Sequence, residues 1–219
     1  MEWPAMEINP EMLNKMMSKL GVGGEWSFVD VLGMGEEDVS AVPKPCCALI
    51  LLFPLTQQHE SFRASQTDKV VKDSGAYFLK QTIVNSCGTI ALLHAVGNNR
   101  SQFDFKDGSA LKKFLDDTAG KSPDDRAKLL ETNQDIQNVH TEVASEAQGR
   151  PEEDHNFHII AFTNVNGMLH EFDGKLDGPL THTATTEGSF VKDAAAVCRG
   201  FIEREKGEVR FSGVALCRA

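Results

Sequence analysis

The sequence predicts a mixed fold, α/β or α+β, on three observations. The segment INPEMLNKMMSKLG (8–21) carries apolar residues at helical spacing between a proline start and a glycine stop. The run CCALILLFPL (46–55) is apolar at every position before its proline, as a strand buried on both faces is. Two apolar, β-branched stretches flank Asn166-Gly167, a dipeptide that accepts the positive φ of a tight hairpin turn.

Taken in chain order, the first helix has Asn9 as N-cap, Pro10 at its first position, and Gly21 just past its end. Leu13, Met16, Met17 and Leu20 fall on one face, which reads as core, although methionine surfaces also adapt to partners. EWSFVDVLG (25–33) reads as a strand and CCALILLFPL as a central one. KSPDDRAKLLETNQDIQNVHTEVASEA (121–147) reads as one long helix, with Ser122 as cap, Pro123 at N1 and two carboxylates in the dipole-favoured first turn. A polar loop, QGRPEEDHN (148–156), leads from it into the hairpin FHIIAFTNVNGMLHEFDGK (157–175). DAAAVCRGF (193–201) has helical spacing and FSGVALC (211–217) strand character. There are no internal repeats and no linker signal, so residues 1–219 are expected to form a single domain.

The composition narrows the function classes. Hydrophobic residues make up 41% and charged residues 25%, which is globular usage, so a core needs neither disulfides nor metal. A net charge of -10 and a pI near 5.2 disfavour nucleic acid and anionic membranes as partners, and would attract a basic one. The longest apolar run is too short to span a bilayer, and MEWPAMEINP lacks the basic and apolar regions of a signal peptide, so a cytosolic protein without membrane insertion is expected. Five cysteines, at 46, 47, 87, 198 and 217, are scattered and form no CxxC pair, which suits neither a disulfide framework nor a zinc site. Cys217, with two residues after it, does not make a prenylation box, and no lipid anchor is expected there.

Chemistry concentrates around KQTIVNSCGTIALLHAV (80–96). Cys87 follows Asn85-Ser86, plausible N-cap residues, and so falls in the first turn of a helix whose dipole lowers a thiol pKa. A thiol nucleophile needs a base, and the base needs a group that fixes its tautomer. The hairpin supplies both. If its loop is the two residues 166 and 167, Ile160 faces Asp173, and His158 becomes the diagonal neighbour of Asp173. A four-residue loop over 164–167 would instead put His158 directly opposite Asp173. Either register sets imidazole and carboxylate on one face; only an odd shift separates them. Gln81 and the Cys87 backbone N–H are candidate oxyanion donors. Six other histidines, at 59, 94, 140, 155, 170 and 182, compete for the role of base, His155 being the nearest rival.

The motifs MEINPEMLNK, FVDVLG, LLFPLT, KQTIVNSCGTIALLHAV, NFHIIAF, LHEFDGK, KDAAAVCR and GEVRFSGVALC occur in this order. Together they resemble the ubiquitin C-terminal hydrolase family of cysteine peptidases, in particular its small single-domain members. The resemblance implies an α+β, papain-like fold: a central antiparallel sheet flanked by helices, with a knotted backbone. It assigns Gln81 to the oxyanion, Cys87 to nucleophilic attack, His158 to the base and Asp173 to the orienting acid. No cofactor and no metal are implied. The implied substrates are ubiquitin and its C-terminal adducts, with a loop at 146–156 crossing above the site and Met6, Ile8, Val209 and Phe211 contacting ubiquitin. An alternative is a protein that mainly binds and stabilises ubiquitin, with weak turnover.

Overall fold

The structure, a computed structural model, describes residues 1–54, 56–71, 75–146, 157–205 and 211–218. The chain opens with α1 (Pro10–Lys19), β1 (Val22–Gly23), β2 (Trp26–Val31), α2 (Glu36–Ser40), β3 (Cys46–Pro54), α3 (Gln57–Ser65) and α4 (Cys87–Gly97). Then follow β4 (Asp104–Phe105), α5 (Ala110–Thr118), α6 (Pro123–Glu131) and α7 (Gln134–Glu146). The last third contributes β5 (Phe157–Val165), β6 (Met168–Phe172), β7 (Leu180–Ala184), α8 (Phe190–Arg204) and β8 (Ser212–Arg218).

Six strands form one sheet in the order β2-β8-β3-β5-β6-β7, every pair antiparallel, and β1 pairs with β4 in a small second sheet. Helices cover both faces of the six-stranded sheet, which gives the α+β architecture. On one face Ile50, Ile159 and Phe172 pack against α1, α4, α5 and α7. On the other, Leu49, Leu51, Ile160 and Phe162 pack against α2 and α8. Because both faces of β3 are covered, its alternation of sides still requires an apolar residue at almost every position.

Helix α1 has the expected ends. The Asn9 side chain accepts from the Met12 N–H at 2.8 Å, Pro10 starts the helix, and Gly21 sits at φ 88°, where a Cβ would strike Ser109 at 2.7 Å. Leu13, Met16, Met17 and Leu20 are all buried, so the methionine stripe is core. Burying each such side chain contributes about 1.5–3 kcal/mol.

The long helix expected over 121–147 is two helices. Asn133 ends the continuity between α6 and α7 by capping the second: its side chain accepts from the Ile136 N–H at 2.9 Å. That local bond competes with continued helix, which is why asparagine favours caps over interiors. Ser122 caps α6 as expected, accepting from Asp125 N–H at 3.1 Å. None of the described helices is long and apolar enough to cross a membrane.

Two buried histidines make stability depend on pH. His94 lies between the rings of Phe78 and Phe172 at 5.0 and 5.2 Å, and burial pushes its imidazole down to about 3. Burial likewise lowers His59 to about 4. Unfolded, both titrate near 6.5, so below that pH the unfolded chain binds protons the folded chain refuses. Their contribution is complete above about pH 6.5 and is lost as pH falls towards 4, at about 1.4 kcal/mol per pH unit for each group. Denaturant midpoints measured between pH 7 and 5 should fall accordingly; a flat profile over that window contradicts this account.

Candidate active site

The candidate base, His158, and its candidate orienting acid, Asp173, are brought together by the hairpin. Asn166 at φ 54° and Gly167 at φ 83° form the two-residue turn, and Val165 pairs with Met168 and Ala161 with Phe172, the first of the two expected registers. Asp173 follows the last paired residue of β6 and is thus diagonal to His158. Their side chains meet: His158 Nε2 lies 2.8 Å from Asp173 Oδ1. Both are buried, at 3% and 1% exposure. Burial alone would raise the Asp173 pKa, but the His158 charge and hydrogen bond, the Lys175 N–H and Arg63 outweigh it and hold the carboxyl below its usual range. An ionised carboxylate only accepts, so the Nε2 that faces it carries the hydrogen, and Nδ1 is the nitrogen left to take a proton.

Cys87 opens α4, as the spacing predicts, and is half-buried, whereas Cys46, Cys47, Cys198 and Cys217 are buried packing residues. The expected serine cap is not made. Asn85 takes a positive φ of 68° and its amide donates to Trp3 O at 3.0 Å, while the Ser86 hydroxyl donates to Ile83 O at 2.7 Å. With Ser86 turned back, its side chain does not occupy the first-turn N–H groups, which point at the region of the sulfur. Burial pushes the Cys87 thiol up to about 11, against the opposing pull of the Gly88 and Cys87 N–H groups and the Lys175 charge.

Residues 173–175 tie these parts together. Asp173 holds His158, the Gly174 carbonyl accepts from the Gln81 N–H at 2.8 Å, and the Lys175 charge acts on Cys87. Gly174 is packed tightly: a Cβ there would lie 2.8 Å from Gln81 Cβ and 3.3 Å from Ile90 Cγ2, one turn along α4. Neither neighbour is the far end of a flexible chain. Gly174→Ala should therefore push the 173–175 segment off Gln81 and lower kcat/KM by about 10–100-fold with the fold retained. Circular dichroism beside hydrolysis rates checks this; unchanged rates would mean the contact is not part of the site.

The expected partner-contact residues divide in three. Met6 and Ile8 are half-buried and lie against Gly88, next to Cys87, with Met6 Cε 3.0 Å from where a Gly88 Cβ would be. Their segment is anchored by Trp3 N–H to Val84 O at 3.0 Å, and by His140 bridging Pro4 O and Thr89 Oγ1, each at 2.8 Å. Phe211 stacks on Phe53 at 5.9 Å, and Phe53 meets the His158 ring edge-on at 5.8 Å. Val209, and the loop expected to cross the site with its His155, lie outside the described residues apart from Glu146.

Among the rival histidines, His94 is bound by the Leu79 backbone, His140 by Pro4 and Thr89, His170 by Met168 O, and His182 by Glu171 at 2.7 Å. Among the described ones, His59 is the one beside the His158–Asp173 pair. Its Nε2 lies 4.0 Å from Asp173 Oδ2, and Arg63 Nη1, one helical turn on, lies 3.9 Å from the same oxygen. No sequence signal in QQHESFR pointed to these two, because α3 reaches the carboxylate through tertiary packing over Phe53. His59, His158 and Asp173 bring three potential ligand atoms within 4.8 Å of one another. The guanidinium beside that carboxylate opposes a cation and already supplies positive charge.

Comparison with known proteins identifies the family and the fold. The family model described as ubiquitin carboxyl-terminal hydrolase, family 1, matches residues 3–203. The human ubiquitin carboxyl-terminal hydrolase isozyme L1 is 56% identical over 222 residues, covering all of both chains. The isozyme L1 of Monodelphis domestica is 53% identical, covering all of this chain and 99% of its own. Among solved structures, the Trichinella spiralis UCH37 catalytic domain bound to ubiquitin vinyl methyl ester superposes with a TM-score of 0.80. It is 24% identical and covers all of this chain and 97% of that one.

Proposed function

This chain belongs to the ubiquitin carboxyl-terminal hydrolase family, and from that membership and the geometry of the site we propose that it is a thiol-dependent deubiquitinating hydrolase. Its substrates are ubiquitin molecules carrying small adducts or short peptides on the C-terminal glycine. The observation that carries the reading is the buried His158–Asp173 pair, held at 2.8 Å and joined through Gly174 to Gln81, six residues before the thiol.

In this mechanism His158 Nδ1 takes the Cys87 proton, and the thiolate adds to the glycine carbonyl. Charge builds on the carbonyl oxygen, where the Gln81 amide and the Cys87 N–H donate to it. His158 returns the proton to the leaving group. A water, deprotonated by the same imidazole, then hydrolyses the thioester and frees ubiquitin. The nucleophile, base and oxyanion donors are all side chains or backbone, so the cycle calls for no metal and no cofactor. Met6, Ile8, Phe211 and Val209 are assigned to the ubiquitin surface, and residues 1–219 to one catalytic domain. Five free cysteines support work in the reducing cytosol.

The test is hydrolysis of a fluorogenic ubiquitin C-terminal amide by the wild-type chain, with ubiquitin affinity measured in parallel. Turnover with saturable binding is expected. Absence of ubiquitin binding would remove the family-based reading of the substrate.

A second reading, a protein that mainly binds and stabilises ubiquitin, is favoured by one observation: burial keeps Cys87 a neutral thiol in the free protein, with its pKa near 11. Since only the thiolate attacks, alkylation of free Cys87 by iodoacetamide should rise about tenfold per pH unit from pH 7 to 10. Mass spectrometry of the modified peptide checks it. A plateau already reached at neutral pH would show a preformed thiolate and count against this reading.

A further inference from the structure

Two buried thiols, Cys46 and Cys217, face each other across the sheet, at the end of β3 away from Phe53. β3 and β8 pair Leu49 with Ala215 and Ala48 with Leu216, and the register then slips between Ala48 and Cys46. Without the slip Cys47 would stand opposite Cys217; with it, Cys46 does. Cys47 is turned with Ala48 into the α4 side of the sheet, while Cys46 and Cys217 both face the α8 side. The carbonyl of the displaced Cys47 is taken up by Thr163 Oγ1 at 2.8 Å and Asn99 Nδ2 at 3.3 Å, so the slip is a supported bulge.

The backbone bond next to the pair fixes its type. Arg218 N–H donates to Pro45 O at 3.0 Å, which places Cys46 and Cys217 at a non-hydrogen-bonded position of the antiparallel ladder. There the Cα atoms are about 4.5 Å apart and the side chains approach most closely. That spacing lies within the roughly 4.4–6.8 Å a disulfide spans. Both are free thiols here.

We propose that Cys46 and Cys217 form an oxidation site, at which a hydroperoxide such as hydrogen peroxide joins the facing thiols in a disulfide between β3 and β8. The Cys46 sulfur, which lines the cavity beside the pair, attacks one peroxide oxygen, the O–O bond breaks, and hydroxide leaves with Cys46 as the sulfenic acid. Cys217 then attacks that sulfur and the sulfenic oxygen departs as water. In sum two thiols and one peroxide give one disulfide and two waters, the sulfurs losing the two electrons that the O–O bond gains. The Cys46 thiol donates to Ala48 O at 3.2 Å, a bond it gives up when it joins Cys217. A cavity of about 220 Å³ lined by Pro45, Cys46, Cys47, Asn99 and Gln102 admits a molecule of peroxide size and reaches the pair from the Cys46 side.

The link would pin the end of the C-terminal strand remote from Phe211, which precedes β8 and stacks beside the catalytic dyad. It is expected to stabilise the fold without touching the site. The test treats the Cys87→Ala chain with hydrogen peroxide, so that the site thiol takes no part, then blocks remaining thiols and maps the unreduced digest by mass spectrometry. Expected are a loss of two hydrogens, a linked Cys46–Cys217 peptide, and a thermal midpoint raised by at least about 5 °C that dithiothreitol reverses. Cys47→Ala should still link. Cys46→Ala should neither link nor shift, and if it folds poorly the linked peptide of the parent chain decides alone. A sulfinic acid on either cysteine beside an alkylated partner, a link to Cys47, or a peroxide-treated chain with both thiols free overturns the proposal.

Discussion

Cys87→Ala is expected to lower turnover of a ubiquitin C-terminal amide by at least about 10⁴-fold while leaving ubiquitin affinity within about threefold. The loss is large because the residue forms the bond, and no other cysteine can substitute: Cys46, Cys47, Cys198 and Cys217 are buried elsewhere in the sheet and α8. The fold should tolerate the change. Cys87 is only half-buried against the core, so removing one sulfur costs about 1 kcal/mol or less. Affinity should survive because the assigned contact residues, Met6, Ile8 and Phe211, keep their own packing against Gly88 and Phe53. Stopped-flow hydrolysis and calorimetric titration read the two effects separately. Residual turnover above about one tenth of wild type would place the nucleophile elsewhere, and parallel loss of binding would mean the substitution had disturbed the surface.

Much of this site was legible because its signals are local. The hairpin turn at Asn166-Gly167 fixes a period-two register over a few residues, and that alone brings His158 beside Asp173. The Asn9, Pro10 and Gly21 signals of α1 act within one helical turn and held in the same way. A local signal was also present, and outweighed by periodicity, at Asn133: the apolar spacing ran on through both helices, but one side-chain cap divided them. At Ser86 the cap signal misled, because the hydroxyl turns back to Ile83 and the backbone there bends through a positive φ at Asn85.

What escaped the sequence is what depends on distant packing. The order β2-β8-β3-β5 brings the last strand between β2 and β3, and no spacing rule encodes that insertion. The Gln81–Gly174 bond joins segments far apart along the chain. His59 and Arg63 reach Asp173 because α3 folds over the end of β3, a placement set by rings such as Phe53 and Phe201 rather than by the helix's own pattern. The bulge that selects Cys46 over Cys47 is equally invisible, since adjacent cysteines in an apolar run differ only through their cross-strand partner.

Asp173→Asn should lower kcat by about 10³–10⁴-fold, although the two side chains have nearly the same shape. The carboxylate accepts at Oδ1 from both His158 and the Lys175 N–H, the latter at 2.9 Å, so that atom must remain an acceptor. If the asparagine oxygen keeps the Lys175 bond, His158 loses an anion that stabilises its imidazolium but keeps its tautomer. If the amide instead turns its NH₂ towards Nε2, that nitrogen must become the acceptor, the hydrogen moves to Nδ1, and the base has no lone pair for the Cys87 proton. The Lys175 N–H decides between these outcomes. It lies at hydrogen-bonding distance from the Oδ1 position, whereas Arg63 Nη1 at 3.9 Å and His59 Nε2 at 4.0 Å from Oδ2 do not, so the amide oxygen is held on the His158 side. The loss is therefore expected near 10³, from the missing anion, with the Nε2 hydrogen kept. The tautomer itself can be read from ¹⁵N chemical shifts of His158. A loss below about tenfold, with Nε2 still protonated, would show that the carboxylate charge is not needed to orient the base.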